Sequence, residues 1–258
     1  MLVLLSPAKT LDYKTPPLTH KVTQPRMVAH ADELIYQLKE LDSEAIGKLM
    51  QISPKLANLN YERYQNYQMA ATADKGRQAI LAFTGDVYQG MDLTRWSSDD
   101  FDVAQLQIRI LSGLYGVLRP LDCIQRHRLE MGTKLKNARG KNLYEFWGSR
   151  ITELLNQDLK TSDFDFVVNL ASNEYFSSVK PEELEGRLIT PIFKDEKNGV
   201  FKTISFYAKK ARGTMADFIV RNRIKSVEDL KKFDANGYQF SAADSNDNSL
   251  IFLRTHSA

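Results

Sequence analysis

Three apolar runs each lead into a cluster of polar side chains of the kind that carries chemistry. Leu2–Leu5 precedes Ser6-Pro7-Ala8-Lys9, Ala79–Phe83 precedes Thr84-Gly85-Asp86-Val87-Tyr88, and Phe164–Leu170 precedes Ala171-Ser172-Asn173-Glu174-Tyr175. As parallel neighbouring strands, these runs would bring Lys9, Asp86, Tyr88, Ser172 and Glu174 together at their carboxyl ends, where open α/β sheets hold their sites. An amine, two carboxylates, a phenol and a hydroxyl in one pocket, with Arg128 and Asn169 beside them, would suit acid–base or phosphoryl chemistry on a nucleic acid or nucleotide-like substrate. The competing reading makes each residue a cap or a turn former.

The cations offer a different chemistry. Arg119 to Lys141 holds seven Lys/Arg against two acids, and Tyr207 to Lys232 holds eight against three, while acids collect at Asp99, Asp100 and Asp102. Segregated charge makes a local positive field although the net charge is only +3. Arg119 and Arg128 are suited to bidentate phosphate contacts, unless Asp122 and Glu130 neutralise them in ordinary ion pairs. Lys209 and Arg212 share a helical face, with Lys210 between them. Phe206 and Tyr207 read as core, or as a stacking surface for an unpaired base.

No metal site is expected. Cys123 and His127 stand four apart, but two ligands do not make a site, and His20, His30 and His256 have no spacing logic. GxGxxG, Walker A and HExxH motifs are absent, so no cofactor is expected. A single cysteine forms no intrachain disulfide and fits a reducing, cytoplasmic compartment. The apolar start MLVLL is too short for a signal peptide and reads as a first strand.

The 258 residues, 43% hydrophobic and 26% charged, suit one folded domain with a sizeable core. Residues 31–41 place Leu34, Ile35, Leu38 and Leu41 on one helical face. Ser97 or Ser98 caps a helix predicted to run to about Leu118, ended by Arg119-Pro120. Arg187–Phe193 and Val200–Phe206 form a predicted hairpin around Asn198-Gly199. A basic helix follows over about 207–223, and Ser249–Arg254 is a last strand. Irregular alternation of helices and strands favours a mixed-sheet α/β domain.

Between these elements, Asp42 or Ser43 caps a short helix carrying Ile46, Leu49 and Met50. Ser53 then caps a second helix opened by Pro54 and predicted to run to about Asn66, burying Leu56 and Leu59. The segment 43–66 resembles the helix-hairpin-helix motif of DNA-repair proteins, in which an apolar residue plugs a tight turn and a Pro-Lys pair opens the second helix. The first N–H groups of such a helix point outward and attract a phosphate whatever the base. Lys48, Lys55 and Arg63 would add charge. Gln51 and Ser53 stand where that hairpin usually has glycines. The plain alternative is a helical hairpin serving only packing.

Nearly the whole chain resembles the YaaA family of bacterial peroxide-stress proteins. The matching stretches include LLSPAKTLDY at 4–13, ISPKLANLN at 52–60, QAILAFTGDVYQGM at 78–91, LSGLYGVLRPLD at 111–122, RLEMGTKL at 128–135, LYEFWG at 143–148 and FKDEKNGVFKTISFYAKKARGTM at 193–215. The resemblance implies the family's own α/β architecture, the cantaloupe fold. It also implies a positively charged cleft and a helix-hairpin-helix, with binding to double-stranded DNA without marked sequence preference. In the cell it implies less oxidative DNA damage and lowered free iron under hydrogen peroxide. By position the hairpin falls on Ile52, Ser53, Pro54, Lys55 and Ala57. Lys9, Arg119, Arg128, Lys209 and Arg212 fall in matched motifs and are expected to line the cleft. Cys123 and His127 lie outside the matched motifs, which argues against a thiol peroxidase or an iron site built on them.

Overall fold

The most apolar runs of the chain pair side by side and become the centre of a sheet. In the computed structural model, which describes residues 1–68 and 76–255, eight strands form this sheet: β1 (Leu2–Leu5), β2 (Ile108–Ser112), β3 (Gly116–Leu118), β4 (Phe166–Asn169), β5 (Arg187–Lys197), β6 (Val200–Lys202), β7 (Gln239–Ser241) and β8 (Ser249–Arg254). Their order is β7-β8-β5-β4-β1-β2-β3, with β6 on the far end of β5. β2, β1, β4, β5 and β8 run parallel, whereas β3, β6 and β7 are antiparallel to their neighbours. Every residue of β1, β2 and β4 is buried, as expected of strands covered on both faces. β5 alternates buried and half-exposed residues along most of its length.

Seven helices matter for the site: α1 (Val28–Lys39), α2 (Ser43–Met50), α3 (Pro54–Gln65), α4 (Asp86–Gln89), α5 (Ser98–Gln107), α6 (Arg150–Ser162) and α7 (Ser205–Arg221). Their starts follow local chemistry. Asp42 accepts from the Ala45 N–H, and Ser53 from the Leu56 N–H with Pro54 in the first turn. Ser97 and Asp100 form a reciprocal capping box. Asn198 and Gly199 both have positive φ, the geometry of a tight hairpin turn. No helix among the described residues is long and apolar enough to cross a membrane.

Three expectations are corrected. The helix from Ser97 stops at Gln107 and the chain becomes β2 and β3, because Ile108, Ile110 and Leu111 are needed in the middle of the sheet. A strand buried on both faces has no polar alternation to distinguish it from helix. Ala79–Ala82 is a helical turn rather than a strand; the Ala79 and Ile80 N–H groups donate to the Asp122 and Pro120 carbonyls, at 2.9 and 3.0 Å. Leu56 and Leu59 remain 38% and 40% exposed, and α3 instead turns Ala57, Asn60 and Tyr64 inward. The Tyr64 hydroxyl donates to the Arg128 carbonyl, tying α3 to the segment after β3.

Two glycines set one helix crossing. A Cβ at Gly213 of α7 would overlap the Val87 carbonyl of α4, and one at Gly90 would overlap the Lys210 carbonyl. The two backbones therefore touch with no side chain between them.

Candidate functional site

The loop leaving β1 is fixed before it delivers Lys9. The Ser172 N–H donates to Ser6 Oγ at 2.8 Å, the two hydroxyls lie 3.2 Å apart, and the buried Tyr88 hydroxyl donates to the Ser6 carbonyl at 3.0 Å. Beyond this clamp, Lys9 Nζ reaches Glu130 at 2.7 Å. Arg128 reaches the same carboxylate through Nη2 at 2.7 Å and Nε at 3.0 Å. Burial pushes the Glu130 carboxyl up, but hydrogen bonds from Lys9 and Arg128 outweigh it, and its pKa ends below the ordinary value. One acid thus holds two cations.

These residues form the floor of a cleft of about 550 Å³ at the carboxyl ends of the central strands. Lys48–Gln51, at the end of α2, forms one wall, and Gly132, Lys134 and Glu174 line it as well. Glu174 accepts from the Gly132 N–H at 3.1 Å. The cleft has four cations, Lys9, Lys48, Arg128 and Lys134, against two acids, Glu130 and Glu174. Lys48 also meets Glu44 at 2.6 Å, but both side chains are 77% exposed, so this pair is worth little. Lys134 makes no ion pair among the described residues.

The turn of the helical hairpin has a specific conformation. Gln51 adopts φ 53° and ψ 50°, and the Ile52 N–H donates back to the Gly47 carbonyl at 3.1 Å. The turn expected of glycine is therefore made with a glutamine, at a cost of about 1 kcal/mol. Ile52 packs against the core, and Ala57 is buried where a Cβ on Gly47 would lie 3.3 Å from its own. Both are packing residues. Ser53, Pro54 and Lys55 stand at the exposed start of α3.

Other expected residues lie around this centre. Thr84 pairs with Thr10, which sets Asp86 beside the Lys9 loop, and Lys209 Nζ stands 3.8 Å from Asp86. Lys210 is exposed. Arg212 is half-buried, its Nε has no hydrogen-bond partner, and burial lowers its pKa. Arg119 is not part of the cleft. The β2–β3 hairpin carries the chain back, so Arg119 emerges at the amino end of the sheet, where it bonds Asp122 at 3.0 and 3.2 Å. There it lines a second cleft of about 490 Å³ with Arg26, Arg109 and Asp158.

The side chains read as a possible catalytic group make structural contacts among the described residues. Tyr88 and Ser172 hold the Lys9 loop, and Asn169 Oδ1 accepts from the Ala171 N–H at 3.0 Å. His127 is buried, its Nδ1 lies 2.8 Å from the Gln125 carbonyl, and burial takes its pKa down to about 4. Burial likewise pushes the Cys123 thiol up, which disfavours its thiolate. No three His, Cys, Asp or Glu gather as a metal site among the described residues, and His256 lies outside them.

Sequence reasoning missed Lys134, and read Gln51 only as a residue in a glycine's place rather than as a lining of the cleft. The signal for Lys134 was present: Met131, Thr133 and Leu135 are buried, whereas Gly132, Lys134 and Lys136 are exposed, a period of two. Phe206 is 56% exposed rather than core.

The sequence profile of the family described as "Peroxide stress protein YaaA" matches residues 1–244. The chain is also similar to the UPF0246 protein IL2146 of Idiomarina loihiensis, 55% identical over 254 residues that cover 98% of each chain. With agreement over that length, the chain belongs to the peroxide stress protein YaaA family.

Proposed function

We propose that this member of a peroxide-stress family binds double-stranded DNA without base preference and so limits oxidative damage to it. One observation carries the reading: the turn of the α2–α3 hairpin and the cations at the strand ends open into a single cleft. Phosphates would meet Lys9, Arg128 and Lys134 on the floor and Lys48 on the wall. At the start of α3, Pro54 has no N–H and Ser53 holds those of Leu56 and Ala57, so the Lys55 N–H would meet a phosphate beside its own ammonium, as a helix-hairpin-helix does. These contacts ignore base identity. Lowered free iron belongs to the same proposal as a cellular outcome, and no iron ligands are assigned to this chain.

The test is a duplex-binding titration across salt concentrations. Log affinity is expected to fall by roughly 0.9 per log salt for each phosphate neutralised. Lys48→Glu/Lys134→Glu and Lys55→Glu should each lower affinity while remaining folded, and Lys209→Glu/Arg212→Glu should do so less. A wild type that does not bind at low salt, or binds equally at all salt concentrations, overturns the reading.

A further inference from the structure

Beside the cleft, Arg63, Arg77 and Arg126 gather around Tyr13, and of the three only Arg77 faces a carboxylate, that of Asp12. The Tyr13 hydroxyl donates to the Ile124 carbonyl at 2.6 Å, and its ring carries the Arg126 guanidinium 4.2 Å from the centroid. Arg63, on α3, donates through Nη1 to Asn60 Oδ1 at 3.2 Å, while its Nε is buried with no hydrogen-bond partner. Arg77 donates to the Thr15 and Leu81 carbonyls at 2.6 and 3.0 Å. None of the three is in an ion pair among the described residues. Asp12, whose Oδ1 accepts from the Lys14 and Thr15 N–H groups at 2.8 and 3.2 Å, offsets part of the Arg77 charge and leaves Arg63 and Arg126 without an acid among the described residues.

Such crowding is unfavourable for the protein alone. Burial, followed by repulsion from Arg126, lowers the pKa of Arg63, and Arg128 adds to the repulsion. Arg128 cannot bring a spare acid, since Glu130 already serves both it and Lys9. Two planar forks, one half-buried and one exposed on an aromatic face, match an oxyanion that accepts from both. A tetrahedral phosphate has enough oxygens to bridge them.

We propose that Arg63 and Arg126, backed by Arg77, form a phosphate-binding basin next to the cleft. The phosphate is either part of a nucleic-acid backbone that continues out of the cleft or a free phosphate group. The basin does not depend on the DNA reading, because it would fill in either case.

Calorimetric titration with inorganic phosphate, at fixed ionic strength against chloride, tests the free source. A short duplex titrated across salt concentrations tests the backbone source. Arg63→Gln and Arg126→Gln are the variants, with Lys136→Gln as a cationic control outside the basin. Arg126 is exposed, so its variant keeps the test valid should Arg63→Gln fail to fold. If the free source is right, the wild type and Lys136→Gln bind phosphate, and Arg126→Gln binds at least tenfold more weakly. If the backbone source is right, the log–log salt slope for duplex drops by about one in Arg126→Gln. Phosphate binding by a wild type that takes no duplex would sustain the basin and sink the DNA reading. A folded Arg126→Gln that matches the wild type in both titrations would overturn the basin.

Discussion

The two ends of the central sheet both carry arginines, and they use them in opposite ways. At the amino end, Arg26 and Arg109 share Asp158 at 2.6 and 2.5 Å, and Arg119 pairs with the fully buried Asp122. Arg109 also donates to the Gln105, Leu106 and Ile108 carbonyls and so closes the end of α5. At the carboxyl end one carboxylate, Glu130, holds both Lys9 and Arg128, while Lys134, Arg63 and Arg126 have no ionic partner among the described residues. Arginine content therefore does not mark a binding surface. What separates the two ends is whether the protein's own acids close the charge.

Removing the acid at each end should sharpen that contrast. Asp158→Asn leaves two guanidiniums poorly compensated in a largely buried place, and urea unfolding should show a loss of about 3–5 kcal/mol with duplex affinity unchanged. If that loss stayed below about 1 kcal/mol, the amino end would not be the structural one.

The buried His127, on the inner side of the carboxyl end, makes a second test. Its pKa is about 4 folded, against an ordinary value of 6.5. The unfolded chain therefore binds the extra proton first, and stability is fully present above pH 6.5 and falls as the pH drops toward 4. The expected loss over that window is on the order of 3 kcal/mol. His127→Gln should flatten the pH dependence of urea unfolding there.

Glu130→Gln, the counterpart of Asp158→Asn, should cost only about 1 kcal/mol, because its surroundings are partly solvated. By freeing Lys9 and Arg128 it should also raise duplex affinity severalfold at low salt, measured by anisotropy. Weaker binding would mean that Glu130 orients the cations rather than masking them. The smallest effect belongs to the hairpin turn: Gln51→Gly should stabilise by about 0.5–1 kcal/mol through relief of its left-handed backbone.

The same contrast shows what could be read from sequence. Asp42, Ser53, Pro54 and Asn198-Gly199 announced their caps and turns, since that chemistry is local. β8 was legible over its full length because the short apolar run Leu250–Leu253 is bounded by Ser249 and Arg254, although its burial does not alternate. The inward face of α3 was not, because it includes Asn60, whose amide is satisfied internally by the Leu56 carbonyl at 2.8 Å. Hydrophobicity pointed to Leu56 and Leu59 instead. Lys9 and Arg128 do lie together, meeting at Glu130. Arg119 lies at the other end of the sheet, since its position depends on the reversal between β2 and β3, and three buried residues there resemble the end of a helix as much as a strand. That Glu130 serves two cations is a matter of tertiary geometry, invisible in any spacing.

The contact between Gly213 and Val87 has a mechanical meaning as well. Most packed elements are separated by a layer of side chains that can change rotamer and absorb a shift. Here main chain rests on main chain, so α4 and α7 have no cushion and must travel together. Asp86 and Lys209 are thus held at a spacing fixed by the backbone, and any load placed on the basic helix passes directly to the loop that carries Lys9.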